Sequence, residues 1–207
     1  VTAELLDRSL AWTRVVLAEV RPAQLARSTP CPSWRLGDLL VHLADGLDAF
    51  TEAAGGRVAL TPAPRPLDPL GADLADAVRE RASALLGAWA AQPPPGGRVG
   101  VGDGVLPGSS LVVIAALELT VHACDVARAI GQPTAPPEPL AADLLAVAQA
   151  VIDPADRGVR FAAVRPVPPG ASYADRLLAW TGRACPEMTG PGGSVHREPR
   201  TGRARRS

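Results

Sequence analysis

Ala115-Ala116-Leu117-Glu118-Leu119-Thr120-Val121-His122-Ala123-Cys124-Asp125-Val126-Ala127 decides how this chain is read. From Leu111 to Leu119 every residue but Glu118 is apolar, which predicts a helix buried on most sides. Three ionisable groups enter that helix at helical spacing: Glu118, His122 four residues on, and Asp125 three beyond. At about 100° per residue from Leu111, they fall near roughly −20°, +20° and −40°, on one narrow face shared with Ala115 and Ala129. An unpaired buried carboxylate costs several kcal/mol or goes neutral, so this face requires a partner. A divalent metal suits a carboxylate and an imidazole one turn apart. The competing reading is a buried Glu118–His122–Asp125 hydrogen-bond network satisfied by an arginine such as Arg128 or Arg79.

Outward from this segment, helical periodicity recurs. Residues 2–20 place Leu5, Leu6, Leu10, Val15, Val16, Leu17 and Val20 inward, and Pro22 closes the first helix. The connection Thr29-Pro30-Cys31-Pro32-Ser33-Trp34 cannot be helical before its second proline, so Ser33 is the expected N-cap of a second helix reaching Ala54. Leu36, Leu39, Leu40, Leu43 and Leu47 form its apolar stripe, and Gly55-Gly56 ends it. Residues 57–69 read as a loop, Gly71–Ala91 as a third helix, and Arg98–Leu106 as a short strand or hairpin. The fourth helix runs from about Ser109 to Ile130 with Gly131 at its C′ position. A fifth, about Leu140–Ile152, carries an apolar face of Leu144, Leu145, Val147, Ala148 and Val151. An extended segment over 159–168 and a short helix from Ser172 to Gly182 follow. Three units are expected: a helical bundle over 1–153, a short appendage packed on it over 154–187, and a disordered tail over 188–207.

Composition narrows the function classes. Acidic and basic residues balance at 21 each and every basic residue is arginine, so neither a nucleic acid nor a membrane surface is expected as partner. Cys31, Cys124 and Cys185 are odd in number and form no C-x-x-C pair, which fits a reducing cytosol. No uninterrupted apolar run approaches membrane-spanning length and no leader pattern opens the chain, so a cytoplasmic protein is expected. A bundle with apolar edges also admits a homodimer.

Of the three histidines, His196 lies in the tail, leaving His42 and His122 for a site. His42 falls about 120° from the centre of its helix's stripe, between Asp38 and Asp45. It is either a solvated outer residue or the edge of a cleft with Asp38 as a hydrogen-bond acceptor behind it. If the second and fourth helices are neighbours, His42, Glu118 and His122 supply the three ligands of a catalytic zinc site with one position open. Cys124, about 200° around the helix from His122, is expected in the core. Cys31 is either a packed loop residue or a reactive thiol near a helix N-terminus.

The stretch Thr29-Pro30-Cys31-Pro32-Ser33-Trp34-Arg35-Leu36-Gly37-Asp38-Leu39-Leu40-Val41-His42-Leu43 resembles the first signature of the mycothiol-dependent maleylpyruvate isomerase family. Glu118 through Gly131 is similar to its second signature: a glutamate, a histidine four on, an aspartate three beyond, and a closing glycine. Residues Phe161–Val167, Pro169–Ser172 and Asp175–Arg183 resemble the tail of an uncharacterised actinobacterial subgroup. The resemblance implies a mainly α protein: a DinB-like up-down four-helix bundle with a small carboxy-terminal α/β appendage. It implies a divalent metal, usually zinc, on His42, Glu118 and His122, with Asp125 orienting a neighbour. It also implies mycothiol as cosubstrate, with the metal lowering the sulfur's pKa for attack on a small electrophile, as an isomerase or an S-transferase. No arginine is assignable to a dicarboxylate substrate, so the electrophile stays open. The alternative is a non-catalytic helical module that binds a metal or a ligand at the same place.

Overall fold

The computed structural model describes residues 2–31, 34–59, 74–91 and 95–184. Ser33, residues 71–73, Cys185, His196 and the expected tail over 188–207 lie outside them. Among the described residues six helices carry the fold: α1 Thr2–Leu17, α2 Leu36–Ala54, α3 Leu74–Ala91, α4 Gly108–Ala129, α5 Glu138–Val151 and α6 Tyr173–Trp180. The first four form a bundle in the ring order α1–α4–α2–α3, while α5 packs on α4 and α1, and α6 packs on α5. The architecture is mainly helical, as the sequence predicts, with a small sheet at one end.

The apolar stripes meet in one core. Leu36, Leu39, Leu40, Leu43 and Leu47 of α2 are all buried, in one cluster with Leu6, Leu10 and Leu17 of α1 and Val78 and Leu85 of α3. Val15, expected inward, is 68% exposed, and Val151 at the end of α5 is also exposed. Each neighbours a side chain that does face inward, and one helical face cannot hold every residue of an unbroken apolar run. By length and hydropathy α4 resembles a membrane span, yet 78% of that window is buried inside the bundle. Its apolar surface is used against α1, α2 and α5.

Two details position the site. Trp34 is held in the loop before α2, its carbonyl accepting from the Thr29 backbone N–H at 3.2 Å and hydroxyl at 3.0 Å. The helix therefore starts two residues later than a cap at Ser33 requires, with Arg35 at the N-cap. Arg35 N–H donates to Asp38 Oδ2 at 2.9 Å, so Asp38 serves the helix start rather than His42. At the other end of the site, α4 stops as expected at Gly131, whose φ of 79° is the left-handed conformation that glycine tolerates. Arg27 Nη1 donates to the Ile130 carbonyl at 2.7 Å, tying the loop before α2 to the end of α4.

The sheet combines a hairpin, β2 Arg98–Val101 with β3 Gly104–Pro107, and β1 Arg57–Val58. The hairpin follows the sequence reading. β1 corrects it: Arg57 and Val58, read as loop, pair in parallel with Gly100 and Val101. Two residues are too few for any periodic signal. The sheet shields a small second core of Ala53, Val99 and Leu111.

Candidate metal centre

Glu118, His122 and Asp125 project from one face of α4, as their spacing predicts, and each meets something different. His122 is 8% exposed and Asp125 is fully buried. The Asp125 carboxylate lies 3.1 Å from His122 Nδ1 through Oδ2, and Arg183 holds it from the other side. Arg183 donates from Nη2 to Oδ2 at 2.7 Å and from Nε to both oxygens at 3.2 Å. Cys31 Sγ donates to the same Oδ2 at 3.5 Å. Burial pushes Asp125 toward the neutral form, but its bond to His122 and the Arg183 charge outweigh this and hold it below the ordinary carboxylate range. An ionised carboxylate only accepts, so His122 carries its proton on Nδ1. Its Nε2 then faces outward, 3.3 Å from Glu118 Oε2.

On the outward side His42 arrives from α2. Its ring lies 5.1 Å from that of His122, nearly perpendicular, and 4.8 Å from Trp34. The ambiguity of His42 thus resolves to the edge of a cleft: it is exposed at the mouth while its ring abuts the site. One donor atom each from His42, Glu118 and His122 lies within 4.8 Å of the others. A tetrahedral ion with bonds of about 2.1 Å sets its donors roughly 3.4 Å apart, so small side-chain movements close the set. Two imidazole nitrogens and one carboxylate oxygen are the chemistry zinc prefers where sulfur is absent. A carboxylate behind the imidazole, as Asp125 is behind His122, is the usual support where a histidine does bind a metal.

The titrations are opposed. Partial burial of its ring against the site and the nearby His122 lower His42 below its ordinary value. Burial also disfavours the charged form of His122, but hydrogen bonds with Asp125, Cys31 and Glu118 raise it well above the usual histidine range. Burial alone raises Glu118; the His122 hydrogen bond and the charges of His122, Arg183 and His42 bring it below its ordinary value. The three donors face a cavity of about 630 Å³. Leu43, Leu47, Phe50 and Ile114 give it an apolar lining, and Val159–Ala162 and Thr181–Arg183 of the carboxy-terminal segment line it as well.

One sequence expectation is corrected here. The arginine that neutralises the buried carboxylate is Arg183. Arg128 instead donates to the Ala184 carbonyl, and Arg79 serves Asp76 and the Leu17 carbonyl. Trp34, packed against the core, also sets its ring on His42. Cys124 is buried as expected, its thiol pushed up to about 12 by desolvation and by Asp125. Cys31 sits half-buried on the cavity wall beside Asp125.

Residues 6–127 match the family model described as the mycothiol maleylpyruvate isomerase N-terminal domain. Two uncharacterised proteins of Mycobacterium tuberculosis, from two strains, are each 34% identical over 173 residues, covering 81% of this chain and 90% of the relative. Among solved structures, that of the mycothiol-dependent maleylpyruvate isomerase shares the fold, with a TM-score of 0.53 at 18% identity. That match spans 70% of this chain and 66% of the solved one, just under two thirds.

Proposed function

The chain belongs to the family of the mycothiol maleylpyruvate isomerase N-terminal domain, and on that premise we propose that it is a divalent-metal enzyme using a low-molecular-weight thiol. His42, Glu118 and His122 hold the metal, with zinc the ion that suits them. Mycothiol is the cosubstrate, and the reaction is isomerisation of a small electrophile or transfer of sulfur to it. The observation that carries this reading is the placement of the three donor atoms, within 4.8 Å of one another, at the wall of a 630 Å³ cavity. That volume fits a small-molecule site, and three protein ligands leave a fourth position for an exchangeable one.

The residues divide the work. Asp125 fixes the Nδ1 tautomer and the ring plane of His122, so that Nε2 presents its lone pair to the ion. Glu118, held below its ordinary value, is anionic at physiological pH and supplies the negative charge. His42, lowered in pKa, is neutral at physiological pH and free to coordinate. A bound divalent ion supplies the positive charge that lowers the pKa of a thiol at the open position. Leu43, Leu47 and Phe50 keep water from the apolar side of the cavity, which strengthens every charge interaction inside it.

The test is metal content of the tag-free chain by mass spectrometry, with Glu118→Ala beside it. About one zinc per chain, lost in the variant, is expected from the ligand count. Thiol consumption is then screened with unsaturated and strained electrophiles. No zinc after resupply, or undiminished zinc in Glu118→Ala, overturns the ligand assignment. Zinc without any thiol-dependent turnover leaves the non-catalytic module.

A further inference from the structure

We propose that Arg183, supplied by the carboxy-terminal segment, is a positioning residue of the metal centre that acts through Asp125 on His122. This rests on the metal reading above and adds the segment after the bundle to the site.

The argument begins with the end of α6. Gly182 N–H donates to Ala179 O at 3.0 Å and Arg183 N–H to Leu178 O at 2.8 Å, the paired bonds of a Schellman turn. Gly182 has a φ of 84°, and a Cβ there would lie 2.7 Å from Ala162 Cβ and 2.9 Å from Ala162 O. Only glycine takes this conformation at this distance, so the turn and its direction are set by one residue. Thr181 O accepts from Arg183 Nη1 at 3.0 Å, and Arg165 Nε donates to Gly182 O at 3.0 Å. The guanidinium is therefore fixed at its own base before it meets Asp125.

At Asp125 the contact is a fork. Nε and Nη2 together reach both carboxylate oxygens, in a place where Asp125 is fully buried and Arg183 nearly so. A fork of this kind holds the carboxylate plane as well as its charge. The same Oδ2 accepts the hydrogen bond from His122 Nδ1–H, so the carboxylate plane sets the imidazole plane and the direction of Nε2. The chain of contact is continuous: Gly182 aims Arg183, Arg183 holds Asp125, and Asp125 holds His122. Groups behind a metal-binding histidine typically carry about 10–100-fold in metal affinity.

The experiment is a zinc titration of the full chain in competition with a chromophoric chelator. Arg183→Met is compared with wild type, alone and in an Asp125→Asn background. Arg157→Met is the control, because Arg157 anchors the same segment to the Trp180 carbonyl at 2.7 Å and the Ala162 carbonyl at 3.1 Å without touching Asp125. Arg183→Met is expected to weaken zinc binding by about 10–100-fold. In the Asp125→Asn background the same substitution should cost under about threefold, because the route is already cut. Arg157→Met should leave affinity within about threefold of wild type. Should Arg183→Met lose its helical circular dichroism, Arg183→Lys replaces it: one ammonium cannot span both oxygens, so a smaller loss is expected. Unchanged affinity at position 183, equal losses in both backgrounds, or a matching loss in Arg157→Met overturns the proposal while the metal reading stands. A wild-type chain that binds no zinc removes both.

Discussion

His122 and His42 lie 5.1 Å apart, ring to ring, yet the chain builds their surroundings in opposite ways. His122 stands on the buried α4 with Asp125, Arg183 and Cys31 behind it, and most polar atoms around it are paired. His42 stands on the rim of α2, exposed, with Trp34 as its closest aromatic neighbour. The inner histidine is raised in pKa and the outer one lowered. The difference separates two tasks that one site has to perform. Geometry is fixed from the interior, where burial makes each hydrogen bond costly to lose. On the proposed reading, exchange with solvent and ligand belongs to the rim, where a side chain moves at little cost.

The sharpest way to break the contrast is Asp125→Ala. It leaves the Arg183 guanidinium nearly buried without its carboxylate and frees the His122 ring. Removing one partner of a buried ion pair costs about 3–5 kcal/mol, read as a lower urea midpoint in the metal-free chain. A loss below about 1 kcal/mol, the size of an exposed pair, would place Asp125 at the surface in energetic terms.

The second effect is a pH dependence. His122 is raised above 6.5 when folded, so its contribution is complete below 6.5 and is lost as pH climbs through the folded value. His42 is lowered, so its contribution is present above 6.5 and lost as pH falls through its folded value. Above neutrality the lowered His42 is already neutral and only the raised His122 still changes charge, so the metal-free chain should lose stability as pH rises there. Zinc reverses the slope, because it competes with the His122 proton and binds more tightly as that proton leaves. Denaturant midpoints across pH, with and without zinc, check both signs. A metal-free midpoint that rises through the same range contradicts the assignment of the raised group to His122.

The same inside–outside division explains what could be read from the sequence. Local order was legible: the α4 face of Glu118, His122 and Asp125, the stop at Gly131, and the α2 leucine stripe all follow from helical spacing. The family resemblance placed His42, which spacing alone left between solvent and cleft. Partners distant in sequence were not legible. Arg183 lies 58 residues from Asp125, and among the chain's 21 arginines no local pattern marks it. Its one signal is the glycine before it, which reads as a helix stop but does not say where the next side chain points. Arg128 and Arg79 looked nearer and are bound elsewhere, because the bundle decides which cations reach the interior. β1 escaped for a related reason: two residues become a strand only when Gly100 and Val101 come beside them.

The smallest expected effect on stability is the one most informative about the rim. His42→Ala removes an exposed ring that neither fills the core nor donates a hydrogen bond to a buried acceptor. Surface changes of this kind fall within about 0.5 kcal/mol, so the metal-free chain should unfold at nearly the wild-type midpoint. Zinc affinity should nevertheless fall sharply, because a three-ligand site reduced to two loses a full coordination bond. That combination, a silent fold and a failing site, separates His42 from Asp125, whose loss damages both. Exogenous imidazole sharpens the distinction: on the open rim it can enter the vacated place in His42→Ala and restore zinc binding. His122 is 8% exposed and meets the same cavity from α4, with Asp125 and Arg183 packed behind it, so imidazole should rescue His122→Ala less well. Equal rescue of the two variants would mean that the interior is as accessible as the rim, and the division of tasks between the two histidines would fail.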